Sequence, residues 1–195
     1  MRLQNTILSV LVFSLILSCA SAQKNEGTDP VDCFLKTQDL EKNKKYILQR
    51  DKVKYTEALR LFSGGEGPEH IPDKTGGSGK EQELFEERYW RQLYADYSRD
   101  TIKKYWRKED FPAYNFVLED KKGLMRSDFM RRYFGSGIDR VIALSDPMYY
   151  KDNAYAMFYY NTYAFSGSSQ PCLVIMRREK ENWILEKIIG DYIFY

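Results

Sequence analysis

Apolar residues run along this chain in three rhythms, and each predicts a different kind of element. Ile7 to Leu17 is a nearly unbroken apolar run close to the start. In the middle, Phe85, Tyr89, Leu93 and Tyr97 recur every four residues, with Trp90 and Tyr94 beside them and Ile102, Tyr105 and Trp106 continuing the stripe. That period predicts one long amphipathic helix over residues 82–106, burying an aromatic face. Glu87 with Arg91, and Asp100 with Lys104, stand at the i, i+4 spacing that supports it. From Ile138 the rhythm changes to strands, at Val141–Leu144, Ala154–Phe165, Cys172–Arg178 and Trp183–Tyr195, rich in β-branched and aromatic residues. The turn-prone stretches DPMYYKDN, SGSSQP and EKEN separate them. Such short connections favour antiparallel neighbours. The expected fold is α+β, a long N-terminal helix packed on a curved antiparallel sheet of about four strands.

Weaker signals fill the gaps. Leu40–Phe62 mixes a strand-like Tyr46–Leu48 with a helix-like Glu57–Phe62. Residues 63–81 pack six glycines and two prolines into nineteen positions, a long loop. A short helix fits Ser127–Phe134, with Ser127 as N-cap and Gly135 as the stop. The polar residues after the first apolar run read as a tether. The division is therefore 1–22 leader, 23–37 tether and 38–195 a single α+β domain.

The leader predicts an address. Arg2, the apolar run and the small residues after it have the anatomy of an export signal. Eleven residues at about 1.5 Å each are too short for a hydrocarbon core roughly 30 Å thick. Two cleavage readings stand. Ala20-Ser21-Ala22 fits ordinary release, whereas Ile16-Leu17-Ser18-Cys19 resembles the lipobox of bacterial lipoproteins, in which the thiol of Cys19 would carry lipid. Either way the chain is expected outside the cytoplasm, as an outer-membrane or cell-surface lipoprotein or as a secreted or periplasmic protein. Membrane contact is expected only through the lipid anchor.

Either cleavage leaves Cys33 and Cys172, and an even pair in an oxidising compartment invites a disulfide, with two buried free thiols as the alternative. The net charge of +2, from 30 basic and 28 acidic residues, drops by one with Arg2. That is no footprint for nucleic acid. A single histidine, His70, supplies neither a multi-His metal site nor a well-held triad, so no metal and no cofactor are expected. Gly76 to Glu81 lacks the spacing of a phosphate loop. Lys103, Lys104, Arg107 and Lys108, with Arg126, Arg131, Arg132 and Arg140, form either a patch for anionic lipid heads or glycans or a solvated surface.

The aromatic strand AYAMFYYNTYAF, the strand CLVIMRR and the closing hairpin RREKENWILEKIIGDY resemble the cone-shaped domains of the nuclear transport factor two superfamily, which includes ketosteroid isomerase-like and SnoaL-like members, over residues 83–195. Cystatin-like domains would leave a similar trace. The resemblance implies a pocket between helix and sheet. Tyr155, Tyr159, Asn161 and Tyr163 lie on one strand face, and Trp90 and Tyr94 on the helix, as its candidate lining. The same stripe also fits plain core packing. The expected function is non-catalytic binding of a small apolar ligand or a protein partner. The alternative is an isomerase- or hydrolase-like enzyme pairing a tyrosine with a carboxylate, of which Asp96, Asp100 and Asp191 are the candidates.

Overall fold

The computed structural model describes residues 29–41, 43–65, 67–69, 84–138, 140–165 and 168–191. The leader with Cys19 and its cleavage sites, and the loop positions 70–81 with His70, lie outside the described residues. Among the described residues no helix is long and apolar enough to cross a membrane.

The chain opens with a helix inside the segment read as a tether. In α1 (Pro30–Leu35), Asp29 caps the first turn by accepting from the amides of Val31 at 2.8 Å and Asp32 at 3.3 Å, and Pro30 takes the first position. Val31, Phe34 and Leu35, spaced three and four apart, are buried. After β1 (Tyr46–Gln49) come α2 (Tyr55–Ser63), closed by Gly64 at φ 75°, and α3 (Glu87–Tyr97). A 3-10 turn (Lys108–Asp110) leads into β2 (Phe116–Glu119) and two short helices, α4 (Lys121–Leu124) and α5 (Phe129–Tyr133). Five strands complete the chain: β3 (Arg140–Leu144), β4 (Met148–Tyr150), β5 (Tyr155–Ala164), β6 (Cys172–Glu179) and β7 (Asn182–Gly190).

All seven strands form one mixed sheet, in the order β2-β1-β3-β5-β6-β7. β1 runs parallel to both β2 and β3, while the other pairs are antiparallel. β3 and β4 pair with successive parts of β5, opposite Tyr160–Ala164 and Tyr155–Met157. Buried Ser145 makes the break between them, its Oγ accepting from the Tyr159 amide and donating to the Asp146 carbonyl, both at 2.9 Å.

Alternation along the strands sorts the core onto two faces. One presents Tyr46, Leu48, Phe158, Tyr160, Val174 and Met176 to α1 and to Trp106 and Phe111. The other is covered twice, by α2 with α3 over β4, β5 and β6, and by α4 with α5 over β1 and β3.

This arrangement corrects the expected fold. No long helix lies on a four-stranded antiparallel sheet: the sheet is mixed and seven-stranded, and α2 and α3, with nine and eleven residues, are the longest described helices. The helix expected over 82–106 stops at Tyr97 because the Asp100 carboxylate accepts from the Ile102 amide at 3.1 Å, a local bond that competes with helical pairing. Beyond it the chain runs extended against residues 50–52, Trp106 donating its amide to the Arg50 carbonyl and Lys104 accepting from the Lys52 amide. Trp90 and Trp106, one stripe in the sequence, are therefore buried in different clusters. The Asp100–Lys104 pair forms at 2.6 Å without the helix. The short helix begins at Phe129, after Asp128 instead of Ser127, and the Asp128 carboxylate is held by Arg126.

Candidate functional site

The doubly covered face has a closed half and an open half. The closed half is aromatic, and among the described residues its fully buried polar side-chain atoms are hydrogen-bonded. Trp90, which is solvent-free, donates its indole N–H to the Pro68 carbonyl at 2.7 Å and contacts the rings of Phe62, Phe85 and Tyr94. The Tyr150 hydroxyl accepts from the Glu86 amide at 2.9 Å and donates to the Leu84 carbonyl at 3.2 Å. Burial pushes the Tyr150 phenol up to about 12 and raises Tyr159 further. At the far edge, Arg60 of α2 clamps Asp191 at the end of β7.

The open half is a lobe tied to the strand ends. Asp51, just past β1, accepts from the Lys121 amide at 2.6 Å, and Asp120 caps α4 by accepting from the Gly123 amide at 2.6 Å. Glu119 at the end of β2 accepts from the Tyr133 hydroxyl at 2.6 Å and from Arg132 at 3.2 Å. Gly123 makes room for that carboxylate: a Cβ there would lie 1.7 Å from Glu119 Oε1. Phe129 is the central buried side chain of the lobe, packed over Ile47 and Val141.

Between lobe and sheet runs a groove of about 270 Å³. Val141, Phe129 and Leu124 make it apolar, while Gln49, Tyr163 and Lys121 contribute polar groups. A second hollow of about 490 Å³ adjoins it on the lobe, lined by charged groups that include Glu119, Lys122, Arg126 and Arg132. Among the described residues Lys121 has no carboxylate within ion-pair distance of its ammonium. An apolar trough with a cation beside it can hold an amphipathic anion.

No family model, curated protein or solved structure matches this chain. The geometry of its own residues carries the functional reading.

The structure divides the six pocket residues read from the sequence. Trp90, Tyr94, Tyr155 and Tyr159 meet in one packed cluster against α2 and α3. Buried Asn161 donates to the Tyr159 hydroxyl at 3.2 Å and accepts from Ser169 and the Gln170 amide, which ties the segment before β6 to β5. Tyr163, 37% exposed, lines the groove instead. The three carboxylates are equally dispersed. Asp96 is exposed, and Asp191 is held by Arg60. The Lys104 ammonium and the Ile102 amide keep the Asp100 carboxyl below its usual range.

Cys33 and Cys172 lie against the same apolar cluster but are not joined in this structure. It is Phe34, the next residue along α1, that turns into the sheet and meets the Tyr160 ring at 4.9 Å. Tyr160 is the register partner of Cys172. Burial pushes the Cys172 thiol up to about 11.

Sequence reading named Tyr163 but missed Gln49, Lys121, Leu124, Met125, Phe129 and Val141. The available signal was the segment KKGLMRSDFMRRYF, where basic and large apolar residues alternate too closely for one helix face.

Proposed function

We propose that this chain is a non-catalytic, extracytoplasmic binding protein whose groove takes a small amphipathic anion of the medium-chain carboxylate type. The observation that carries the reading is Lys121, a cation without a carboxylate partner among the described residues, beside a trough formed by Val141, Phe129 and Leu124. An alkyl tail would gain about 25 cal/mol per Å² of apolar surface buried, and its carboxylate a charge-assisted hydrogen bond. The leader pattern supports the location outside the cytoplasm.

Calorimetric titration with decanoate, and with decanol as the uncharged control, tests the binding. One decanoate per chain is expected, with decanol bound about tenfold more weakly, as a partly exposed charged hydrogen bond would give. Lys121→Ala should bring decanoate down to the level of decanol, and Leu124→Trp, which fills the trough, should abolish both. Equal decanoate affinity in the wild type and Leu124→Trp would place binding elsewhere and overturn the reading. The intact mass of protein extracted from cell membranes tests the location. A diacylated species starting at Cys19, or a chain starting at Gln23, supports export, and an uncut Met1 species contradicts it.

A further inference from the structure

The lobe that forms the groove also carries an outer surface that packing does not explain. Met125 is 78% exposed, Met130 47% and Phe134 90%. Leaving a phenylalanine in water forgoes the stabilisation that burial brings to such side chains in the core. The chain nevertheless presents this one at a turn formed by Gly135 and Gly137, at φ 75° and 76°, conformations that favour glycine. Along this segment basic side chains outnumber acidic ones. Residues 121–138 hold Lys121, Lys122, Arg126, Arg131 and Arg132 against Asp128 alone. Asp128 pairs with Arg126 at 2.9 Å, and Arg132 turns to Glu119 at 3.2 Å. Among the described residues neither Lys122 nor Arg131 has an ion-pair partner.

We infer that this lobe, through exposed Met125, Met130 and Phe134 and the neighbouring Lys122, Arg126 and Arg131, docks the domain onto an anionic lipid surface. Exposed apolar side chains interspersed with basic ones along one short segment match the layering of a bilayer interface, where phosphates lie above acyl chains. Double-stranded nucleic acid would reward the basic residues but not the exposed methionines. The contact is additional to any lipid anchor at Cys19. It does not depend on a ligand in the groove.

Amide hydrogen exchange over residues 121–138 of the full chain tests it, on vesicles of phosphatidylcholine and on equimolar phosphatidylcholine and phosphatidylglycerol. The leader carries Arg2 and can itself favour anionic vesicles, so the variants below, which leave the leader unchanged, assign the protection to this face. Exchange should slow on the anionic vesicles only, and high salt should reverse the effect. Lys122→Ala with Arg131→Ala should raise the lipid concentration for half-protection roughly twenty-five-fold, at about fivefold per charge. Phe134→Ser, at a position too exposed to support the core, should raise it about tenfold. Both variants leave the groove lining intact. Equal exchange on the two kinds of vesicle, or protection that the variants do not change, would overturn the inference. Protection that grows with protein concentration in the absence of lipid would overturn it in favour of a second copy as the partner.

Discussion

The two covers on one face of the sheet are built from similar residues and do opposite things. α2 and α3 press Phe62, Trp90, Tyr94 and Tyr97 onto β4, β5 and β6, and the polar tips of Trp90 and Tyr150 end on backbone groups. The core beneath α4 and α5 has four buried residues, Ile47, Phe129, Ile138 and Val141, and the lobe leaves Met125, Met130 and Phe134 in solvent. The first cover spends its aromatic surface on packing. The second leaves a groove beneath it and exposed apolar side chains on it, so the aromatic richness of the sequence marks stability and the thin cover marks the proposed site.

The largest expected contrast is in stability. Trp90→Ala should cost about 3–5 kcal/mol in urea unfolding, the usual range for emptying a large aromatic site. Phe129→Ala should cost less globally, about 2 kcal/mol, because its lobe can collapse or open on its own, and should speed amide exchange over 120–138 far more than elsewhere. Equal global costs would erase the distinction between the covers.

Next comes the clamp of the closed half. Arg60→Ala removes the guanidinium bonded to Asp191, whose side chain is only 7% exposed. About 2 kcal/mol should be lost, below the range for fully buried pairs because Arg60 is itself 18% exposed. Its counterpart in the open half, Arg126 with Asp128, is solvated, and Arg126→Ala should be close to neutral in stability. Gly123→Ala should fall between them, at about 1–2 kcal/mol, since the new Cβ displaces Glu119 from both Tyr133 and Arg132. Thermal unfolding of the three variants ranks these effects.

The last contrast is silent at neutral pH. Tyr150, Tyr160 and Tyr114 have phenols pushed up to about 12, chiefly by burial, above the ordinary value near 10. A raised folded value means that the native state holds the proton more tightly. The associated stability is intact below pH about 10 and is lost as pH rises from about 10 to about 12. Phenolate absorbance followed beside circular dichroism should show the late tyrosines ionising together with unfolding, and complete ionisation before any loss of structure would contradict their burial.

Much of the C-terminal sheet was legible because β5, β6 and β7 are long enough to show composition and turns. β2 and β4, with four and three residues, are too short for a period, and β4 lies inside the stretch DPMYYKDN that reads as a turn. The parallel pairing of β1 depends on residues 47 and 141 meeting across two crossovers, which no local pattern encodes. α1 hid in polar surroundings, although Asp29-Pro30 is a start signal that could have been taken up. Helical spacing could not reveal that the Asp100 carboxylate would bond the Ile102 amide and turn the chain. The site was the least legible part, since Gln49, Lys121, Val141 and Tyr163 come from four separate segments and only the folded sheet brings them together.

The most direct test of the proposed binding site is a two-dimensional amide and methyl NMR titration with decanoate. Shifts confined to Gln49, residues 121–133, Val141 and Tyr163, with Trp90 and Tyr159 unmoved, are the expected result. Shifts centred on Trp90, Tyr155 and Tyr159, or no saturable shift at all, would contradict the assignment of binding to the open half.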